Sequence, residues 1–316
     1  MTVLVTGGAG LIGRELIRQL AASGKDVVAS DLRSPALDAA PLREIRFVPA
    51  NVAVQGEMVD LVRKYQPERI FHLAAMAGRA AEQRHALAFE INVRGTYNVL
   101  EAARMASTPR VLHVSSTDVY GRDPAPVIDD YSLERPDTHD GCAKHFAENL
   151  GRWYVDKFKL DFRAVRLPVV VGPRVAGPGG ANAQSPNWVA PMIEDALAGR
   201  AHPCEAAQNS TSLLMSVGDA ARAAIALAEA PPEQMRTRCY TAIGIPQATT
   251  VEEMGRFLEK RFPGFAVKYG PEAKPAVCPT LDDRFARDEW NWEARHRTVD
   301  ALVADFVERL ASGVDP

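Results

Sequence analysis

A glycine-rich segment near the start of the chain has the residue types and spacing needed to bind a phosphate group. In TGGAGLIG (6–13), Gly7, Gly10 and Gly13 stand between a short apolar run and a helical pattern. The backbone amides of such a loop and the N-terminus of the following helix can face a pyrophosphate. A tight strand-to-helix turn would also explain the glycines, but Asp31 at the end of the second predicted strand favours dinucleotide binding.

Asp31 also helps to distinguish between the two nicotinamide dinucleotides. A carboxylate at this position can accept hydrogen bonds from both hydroxyls of the adenine ribose, and it would repel the 2′-phosphate of NADP. Arg33 lies close by in the sequence and could tolerate that phosphate. We therefore predict NAD as the cofactor, with NADP as the alternative.

The elements that would position this loop alternate between strand-like and helix-like patterns. Short runs rich in β-branched residues predict strands at 3–6, 26–30, 45–49, 69–75, 110–116 and 162–171. Helical patterns lie between them at 11–22, 57–65, 80–106 and 140–158. This alternation is typical of βαβ units with a parallel sheet covered on both faces. The predicted fold class is therefore α/β, with a Rossmann-type doubly wound parallel sheet.

The composition changes after residue 172. GPRVAGPGGANAQSPN (172–187) is rich in glycine, proline and small polar residues, which is typical of a long loop near a site. Further helical patterns follow at 188–199, 218–230, 250–262 and 298–311. We therefore predict an NAD-binding Rossmann domain at 1–172 and a small C-terminal α/β substrate cap at 173–316, partly interleaved with the first domain.

The overall composition argues against several functional classes. The 316 residues carry a net charge of -3 without a block of like charges, so we expect neither nucleic acid nor a membrane as a partner. The four cysteines lie far apart without zinc spacing, which favours reduced thiols over a disulfide framework or a metal site. The sequence shows no leader pattern, and no apolar run reaches the ~18 residues of a membrane helix. We expect a cytoplasmic protein with a small-molecule substrate.

Further motifs resemble those of one large family. The glycine loop is followed by HLAA (72–75), INVRGTYNVLEAA (91–103), VSSTDVYG (114–121) and a lysine that opens a helix. In this order they resemble an extended short-chain dehydrogenase/reductase, the NAD-dependent epimerase/dehydratase family. The second half contains YVDKFKLDFRAVRLP (154–168), PGG (178–180), EAPPEQMRTRCYTA (229–242) and CPTLDDRFARDEWNW (278–292). These segments resemble the short-chain type of L-threonine 3-dehydrogenase nearly end to end.

The resemblance implies roles for individual positions. It assigns cofactor contacts to Gly7, Gly10, Leu11, Ile12, Gly13, Asp31, Leu32, Asn51, Val52, Leu73, Ala74, Ala75, Asn92, Ser115, Lys144 and Pro168. It assigns substrate contacts to Met76, Ser116, Thr117, Asn182, Ser185 and Cys278. Lys144 would bind the hydroxyls of the nicotinamide ribose. Ser116 would hydrogen-bond the substrate oxygen, with Thr117 as the neighbouring alternative.

Three positions depart from the pattern of the family. The catalytic tyrosine, which the family places four residues before the lysine, is Asp140 in this chain. The paired threonines after the glycine-rich loop become Asn182 or Ser185, depending on the direction of counting, and a tryptophan becomes Cys278. The last two sites would line the substrate pocket, so we expect that the substrate is not simply threonine.

An aspartate at the tyrosine position changes the proton chemistry. In this family the tyrosine exchanges a proton with the substrate oxygen, and a nearby lysine lowers its pKa from ~10 towards neutrality. An aspartate starts near ~3.9, and the same positive neighbours would lower its pKa further. We therefore expect Asp140 to be charged at physiological pH and disfavour the usual alcohol–ketone interconversion, unless burial raises the pKa.

Three neighbours could share the proton transfer with Asp140. Asp118 falls where sugar-nucleotide dehydratases of this superfamily carry a glutamate base, although a solvated strand-end residue is equally compatible with its position. His139 and His145 flank the helix start and could supply a proton near neutral pH, although surface positions are more typical of such histidines. Two carboxylates near one nicotinamide could divide the acid and base roles between Asp118 and Asp140.

Three functions remain open from the sequence. The first is an NAD-dependent oxidoreductase acting on a small polar hydroxy compound, such as a hydroxy acid, an amino-acid derivative or a sugar derivative. The second is an epimerase or dehydratase that retains NAD, and the third is a non-catalytic NAD-binding pseudoenzyme. The retention of Lys144, Ser116 and the glycine loop favours use of the cofactor. The resemblance also implies a homodimer formed through the helices at 80–106 and 140–158.

Overall fold

The structure is a computed structural model that describes residues 2–33, 45–121, 126–173, 188–271 and 280–311. Its strands are β1 (Thr2–Thr6), β2 (Asp26–Asp31), β3 (Arg46–Pro49), β4 (Arg69–His72), β5 (Arg110–Ser116), β6 (Val127–Ile128), β7 (Asp161–Leu167), β8 (Val169–Val171), β9 (His202–Ala207), β10 (Thr211–Ser212), β11 (Leu214–Ser216), β12 (Cys239–Thr241), β13 (Thr249–Thr250), β14 (Val267–Gly270) and β15 (Thr280–Leu281). Its α-helices are α1 (Leu11–Ala22), α2 (Gln55–Tyr65), α3 (Gly78–Gln83), α4 (His85–Ala88), α5 (Gly95–Met105), α6 (His139–Phe158), α7 (Val189–Leu197), α8 (Val217–Glu229), α9 (Val251–Arg261), α10 (Arg284–Trp290) and α11 (Val299–Ala311).

Seven strands form one parallel sheet in the order β12-β7-β5-β4-β1-β2-β3. The inner strands are rich in β-branched residues and buried on both faces, as β1 shows with four consecutive buried residues. The chain starts at β1 in the middle of the sheet and runs outward to β3 before it crosses to β4. From β1, the sheet therefore extends through β2 and β3 on one side and through β4, β5 and β7 on the other. A doubly wound sheet binds its ligands at the point where the direction of winding changes.

Helices cover both faces of the sheet. Leu16, Ile17 and Leu20 of α1 pack with the alanine-rich face of α8 on one side. On the other side, α2, α5 and α6 contribute the buried side chains of Met58, Leu61, Val99, Leu100 and Tyr154. The predicted Rossmann-type doubly wound α/β fold is confirmed.

Two predicted elements are interrupted in the structure, and the strand predicted at 69–75 ends earlier, at His72. The helix predicted at 80–106 is interrupted at Arg84, and it contains a π-helical turn at Phe89–Arg94 before α5 begins. The strand predicted at 162–171 breaks at Pro168, since proline has no backbone N–H for the ladder. Beyond this break, β8 pairs with β11 instead of continuing in the central sheet.

The part of the chain after β8 forms short strands and helices, and its strand β12 joins the central sheet. β12 pairs in parallel with β7, at the edge of the seven-stranded sheet. A separate core joins α7, α9 and α11 through Met192, Ile193, Met254, Leu258 and Phe306. α10 and the short strands β9 and β14 were not predicted, because they are brief and lack a clear hydrophobic period. Within the described ranges, no helix is both long and apolar enough to cross a membrane.

Candidate active site

The glycine-rich loop packs directly against the segment that follows β4. Gly7 has a φ of 72°, and a Cβ atom added there would lie 2.5 Å from the backbone nitrogen of Ala74. A Cβ on Gly13 would collide with the carbonyl oxygen of Gly7. These contacts place the loop, Leu73 and Ala74 together at the carboxyl ends of β1 and β4. The glycines therefore allow the close approach that a strand-to-helix phosphate loop needs.

The first turn of α1 fits a phosphate group. Gly10 occupies the N-cap position of α1, and no side chain caps the helix. The backbone N–H groups of its first residues, Leu11 and Ile12, therefore have no side-chain acceptor at this helix end. A helix N-terminus of this kind attracts anions. Asp31, at the end of β2, accepts a hydrogen bond of 3.0 Å from the backbone N–H of Ala9. The residues present therefore fit NAD, whose pyrophosphate would face α1 and whose adenine ribose would face Asp31.

The predicted adenine side of the site lies on turns after β2 and β3. Leu32 follows Asp31 and is 60% exposed, which leaves its side chain free to cover a ligand. The Asn51 side chain is occupied locally, since its Oδ1 accepts from the Ala53 N–H at 3.0 Å. Asn98 of α5 fixes the backbone of Val52 by donating to its carbonyl at 2.8 Å. Sequence reasoning did not single out Asn98, although a polar residue on the buried face of a helix was a signal.

Asp140 and Lys144 lie one turn apart on the same face of α6, at the position expected for the catalytic pair. Thr138 caps the helix, since its hydroxyl accepts from the N–H of Gly141 at 3.0 Å. Asp140 is 7% exposed and Lys144 is 8% exposed. The Lys144 ammonium donates to the carbonyl oxygen of Val114 at 2.6 Å, which ties α6 to β5. Its other N–H groups can serve the nicotinamide ribose.

Asp118 belongs to the same site. It lies in the 3-10 turn at Thr117–Tyr120 that follows β5, and its backbone N–H donates to the hydroxyl of Ser116 at 3.1 Å. A Cβ on Gly141 would lie 2.6 Å from the carbonyl oxygen of Asp118, so the glycine after Asp140 lets this turn touch α6. The structure thus brings together Ser116, Asp118, Asp140 and Lys144, as well as Thr117, which begins the 3-10 turn.

The expected lowering of the Asp140 pKa was wrong. Burial raises the pKa of Asp140, and the charges of Lys144 and His139 oppose this effect without reversing it. Burial also raises the pKa of Asp118, and the negative charge of Asp140 adds to that increase. In the opposite sense, burial lowers the pKa of Lys144 against the favourable charge of Asp140. The sequence displayed the charged neighbours but not the loss of water around the carboxyl group.

Nearby tyrosines do not replace the missing phenol. The Tyr120 hydroxyl lies 2.9 Å from Thr241 Oγ1 and accepts from Arg166 at 2.7 Å, inside the protein. The Tyr154 hydroxyl donates to Glu101 of α5 at 2.6 Å, in a turn of α6 well beyond Lys144. Both phenols are occupied away from Asp140.

The two histidines beside Asp140 differ in their relation to it. The ring of His145 lies 2.5 Å from the carboxylate of Glu134, and its side chain is 37% exposed, so it faces away from the buried pair. His139 begins α6 and is near enough to influence the charge of Asp140. Its backbone N–H donates to Glu82 of α3 at 2.7 Å.

Ser115 and Asn92 have positioning partners that sequence reasoning missed. The Ser115 hydroxyl donates to Glu148 at 2.6 Å, and Glu148 is bound in turn by Arg166. Asn92 holds both the N–H and the carbonyl of Met76 at 2.7 Å, and its amide nitrogen lies 3.4 Å from Asp140. Two features could have pointed to such roles: the arginine at position 166 in a predicted inner strand, and Asn92 in an otherwise helical run.

Other predicted positions fall at the edges of this site. Ala75 and Met76 follow β4 and lead into α3, and Pro168 separates β7 from β8. Asn182, Ser185 and Cys278 lie outside the described residues.

A glycine-rich loop at the sheet switch point and a buried carboxylate–lysine pair are typical of a nucleotide-dependent α/β enzyme. The sequence matches the NAD-dependent epimerase/dehydratase family over residues 3–240, and the chain belongs to this family. The predicted family, its NAD-dependent oxidoreductase or epimerase chemistry and NAD as the cofactor are thereby confirmed.

Similar proteins include dehydrogenases and members without an assigned reaction. The chain is 27% identical over 302 residues to the mitochondrial L-threonine 3-dehydrogenase of Sus scrofa, covering 92% of this chain and 78% of that one. It is 27% identical over 306 residues to an uncharacterised epimerase/dehydratase of Staphylococcus haemolyticus, covering 93% of each. Among solved structures, the holo form of the GalE-like L-threonine dehydrogenase from Cupriavidus necator superposes with a TM-score of 0.87 at 27% identity, covering 98% of this chain and 100% of that one.

Proposed function

We propose that the chain is an NAD-dependent oxidoreductase for a small polar hydroxy compound, and that Asp140 exchanges the substrate proton in place of a tyrosine. The observation that carries the proposal is the burial of Asp140 one turn before Lys144, which raises the pKa of the carboxyl group. Such a carboxyl is a better proton acceptor than an ordinary aspartate and can also donate a proton. The names of the pig and Cupriavidus relatives support dehydrogenation of a hydroxy compound.

The proposed substrate class covers three kinds of compound with a hydroxyl group. A hydroxy acid, an amino-acid derivative or a sugar derivative would each present a secondary hydroxyl to Asp140. Threonine itself is not proposed, because the family pattern is altered at Asn182 or Ser185 and at Cys278.

The proposed reaction divides the work among few side chains. When bound, NAD supplies the hydride acceptor or donor. Oxidation of an alcohol breaks a C–H bond, whose hydride goes to the cofactor, and an O–H bond, whose proton goes to Asp140. Ser116 would hold the substrate oxygen, and Lys144 would hold the nicotinamide ribose.

A substrate screen that follows the absorbance of reduced nicotinamide tests this proposal. We expect turnover with at least one member of a panel of hydroxy acids, hydroxy amino acids and sugar acids. Asp140→Asn should then reduce kcat by ~10²–10⁴-fold, the usual contribution of a positioned acid or base. Asp156→Asn, an exposed position of the same helix, is the matched control and should leave turnover unchanged. Full activity of Asp140→Asn, or no turnover across the panel, would overturn the proposal.

A second candidate is an epimerase or dehydratase that retains its NAD. The observation that favours it is the second carboxyl group, since Asp118 and Asp140 both have a raised pKa and Asp140 raises that of Asp118. Two such groups could remove and return a proton on different atoms. A product with changed stereochemistry or one water fewer, without accumulation of reduced nicotinamide, distinguishes this candidate from the first. Asp118→Asn should abolish this reaction.

We also propose that two copies associate through α5 and α6. Four aromatic side chains on or beside these helices are between 41% and 50% exposed, namely Phe89, Tyr97, Phe146 and Trp153. Exposed aromatic patches are typical of protein interfaces. In sedimentation velocity, Trp153→Arg should convert a dimer into a monomer, whereas Leu310→Arg on α11 should not. A monomeric wild-type protein would overturn the proposal. The cytoplasmic location stays a prediction.

A further inference from the structure

A buried chain of hydrogen bonds connects the end of β1 with the π-helical turn that holds Asn92. His72, the last residue of β4, is 1% exposed and stands in the middle of this chain. Its Nδ1 lies 2.8 Å from the hydroxyl of Thr6, the residue before the glycine loop. Its Nε2 lies 3.1 Å from the hydroxyl of Thr96 in α5.

The partners fix the direction of every bond in the chain. The Thr96 hydroxyl lies 2.6 Å from the carbonyl oxygen of Asn92, which can only accept, so the single hydroxyl proton is used there. His72 must therefore donate from Nε2 to Thr96, and in a neutral ring Nδ1 then carries no proton. The Thr6 hydroxyl then donates to that bare nitrogen. Burial, with a smaller effect of Lys144, lowers the pKa of His72 to about 3, which agrees with a neutral ring.

The other end of this series of hydrogen bonds contacts Asp140, the proposed proton-transfer group. Asn92 lies in the π-helical turn, and the Thr96 hydroxyl binds its carbonyl one turn later. The Asn92 side chain clamps the N–H and the carbonyl of Met76, both at 2.7 Å. The same amide nitrogen lies 3.4 Å from Oδ1 of Asp140. A rotation of the Asn92 side chain would therefore displace the backbone of Met76 and change the contact with Asp140 at the same time.

We infer that His72, as its Nε2–H tautomer, is a positioning residue that links the base of the glycine loop to the Asn92 turn and so orients Met76 and Asp140. The inference rests on the proposed function only where it treats Asp140 as the proton-transfer group. The orientation itself is a property of the folded chain. A residue at position 72 has to accept at one end and donate at the other without charge, and neutral histidine does both.

Nitrogen-15 NMR of the His72 imidazole in the wild-type protein tests the tautomer directly. We expect protonated Nε2 and bare Nδ1, with no titration of the ring between pH 5 and 9, a range above its lowered pKa. A ring protonated on Nδ1, or one that titrates within this range, would overturn the inference.

A matched pair of substitutions at Thr96 tests the coupling. Thr96→Ser keeps the hydroxyl, whereas Thr96→Val keeps the shape and removes it. Thr96→Val should shift the amide resonance of Met76 and the ¹³C-detected titration of Asp140, and Thr96→Ser should leave both close to wild type. A purely structural role predicts a lower Tm for Thr96→Val with both resonances unchanged, which would contradict the inference.

A second pair covers the case in which Thr96→Val does not fold. His72→Gln places an amide N–H near the position of Nε2, whereas His72→Asn places its amide near Nδ1 and loses contact with Thr96. Only His72→Asn should move the Met76 and Asp140 signals, and equal effects of the two variants would contradict the inference. These readouts need no turnover. If they respond as expected while Asp140→Asn remains fully active, the proposed function fails and the positioning inference stands.

Discussion

Helix α6 carries two buried carboxyl groups on either side of Lys144, and their protonation is shifted in opposite directions. Asp140, Lys144 and Glu148 follow each other at intervals of four residues, so they share one face of the helix. Burial acts to raise the pKa of both acids. For Glu148, hydrogen bonds and charge from Arg166 outweigh burial and leave the pKa lowered. For Asp140, Lys144 and His139 do not outweigh it, and the pKa is raised.

The difference lies in the number and quality of hydrogen bonds. Glu148 accepts from Ser115 at 2.6 Å and from two nitrogens of Arg166, the closest at 2.5 Å. In the part of the chain that the structure describes, the side-chain donor to Asp140 is Asn92, at 3.4 Å. A fully bonded carboxylate stabilises the fold as an anion, whereas a buried carboxyl group with few donors keeps its proton affinity and remains available for chemistry.

The strongest test of this comparison is to remove Arg166. It is fully buried, and it also binds the Tyr120 hydroxyl at 2.7 Å and the carboxylate of Glu134. Arg166→Met leaves Glu148 buried without its main partner, so the free energy of unfolding should fall by ~3–5 kcal/mol. Urea denaturation measures this loss.

Two further variants show whether the loss comes from the stranded charge. Arg152→Met, which removes a partly exposed arginine 3.5 Å from Glu148, should cost less than ~1 kcal/mol. In the double variant Arg166→Met with Glu148→Met, most of the stability should return, since position 148 no longer carries a buried, unpaired charge. A double variant as unstable as the single one would show that packing, not charge, explains the loss.

The two acids should also give opposite pH dependences of stability when each is replaced by its amide. The folded pKa of Asp140 lies above its ordinary 3.8, so the stabilisation associated with its proton is lost as the pH rises from about 4 through the folded value. The folded pKa of Glu148 lies below its ordinary 4.5, so its contribution is present above that value and lost as the pH falls. Relative to Asp140→Asn the wild type should lose stability as the pH rises, and relative to Glu148→Gln it should gain.

Urea denaturation at a series of pH values between 3.5 and 7 measures both differences. Slopes of opposite signs are expected for pKa shifts in opposite directions. Slopes of the same sign would refute the comparison between the two acids.

Much of the frame around these acids could be predicted from the sequence. The alternation of strand-like and helix-like patterns predicts the sheet because parallel strands buried on both faces consist of short β-branched runs, such as VLVT at 3–6. Gly7 follows β1 and Asp31 ends β2, as expected, because their positions depend on strand ends, which the pattern indicates well. The π-helical turn around Asn92 was missed, since the sequence there follows an unbroken helical pattern.

The electrostatics of the site could not be predicted in the same way. The sequence shows that Asp140 precedes Lys144 by one turn, and this spacing alone predicts a lowered pKa. Burial reversed the sign, and burial of Asp140 depends on Gly141 and the Asp118 turn, which meet only after folding. Similarly, Glu148 and Arg166 belong to different elements, and their pairing follows from the packing of α6 on β7.

The smallest expected effect concerns Glu82, an exposed acid of α3 that influences Asp140 across the helix N-terminus. After burial and the opposing charges of Lys144 and His139, the charge of Glu82 makes a further contribution that raises the pKa of Asp140. Glu82→Gln removes the charge but keeps an oxygen that can accept from the His139 N–H, now at 2.7 Å. The pKa of Asp140 should therefore fall, as followed by ¹³C NMR of the carboxyl group. Because Glu82 is exposed, salt should diminish the difference between wild type and variant.

Glu233→Gln, which changes a remote exposed acid, is the control and should leave the titration of Asp140 unchanged. A rise in the Asp140 pKa, or a salt-independent fall, would mean that Glu82 acts through the helix cap and not through its charge.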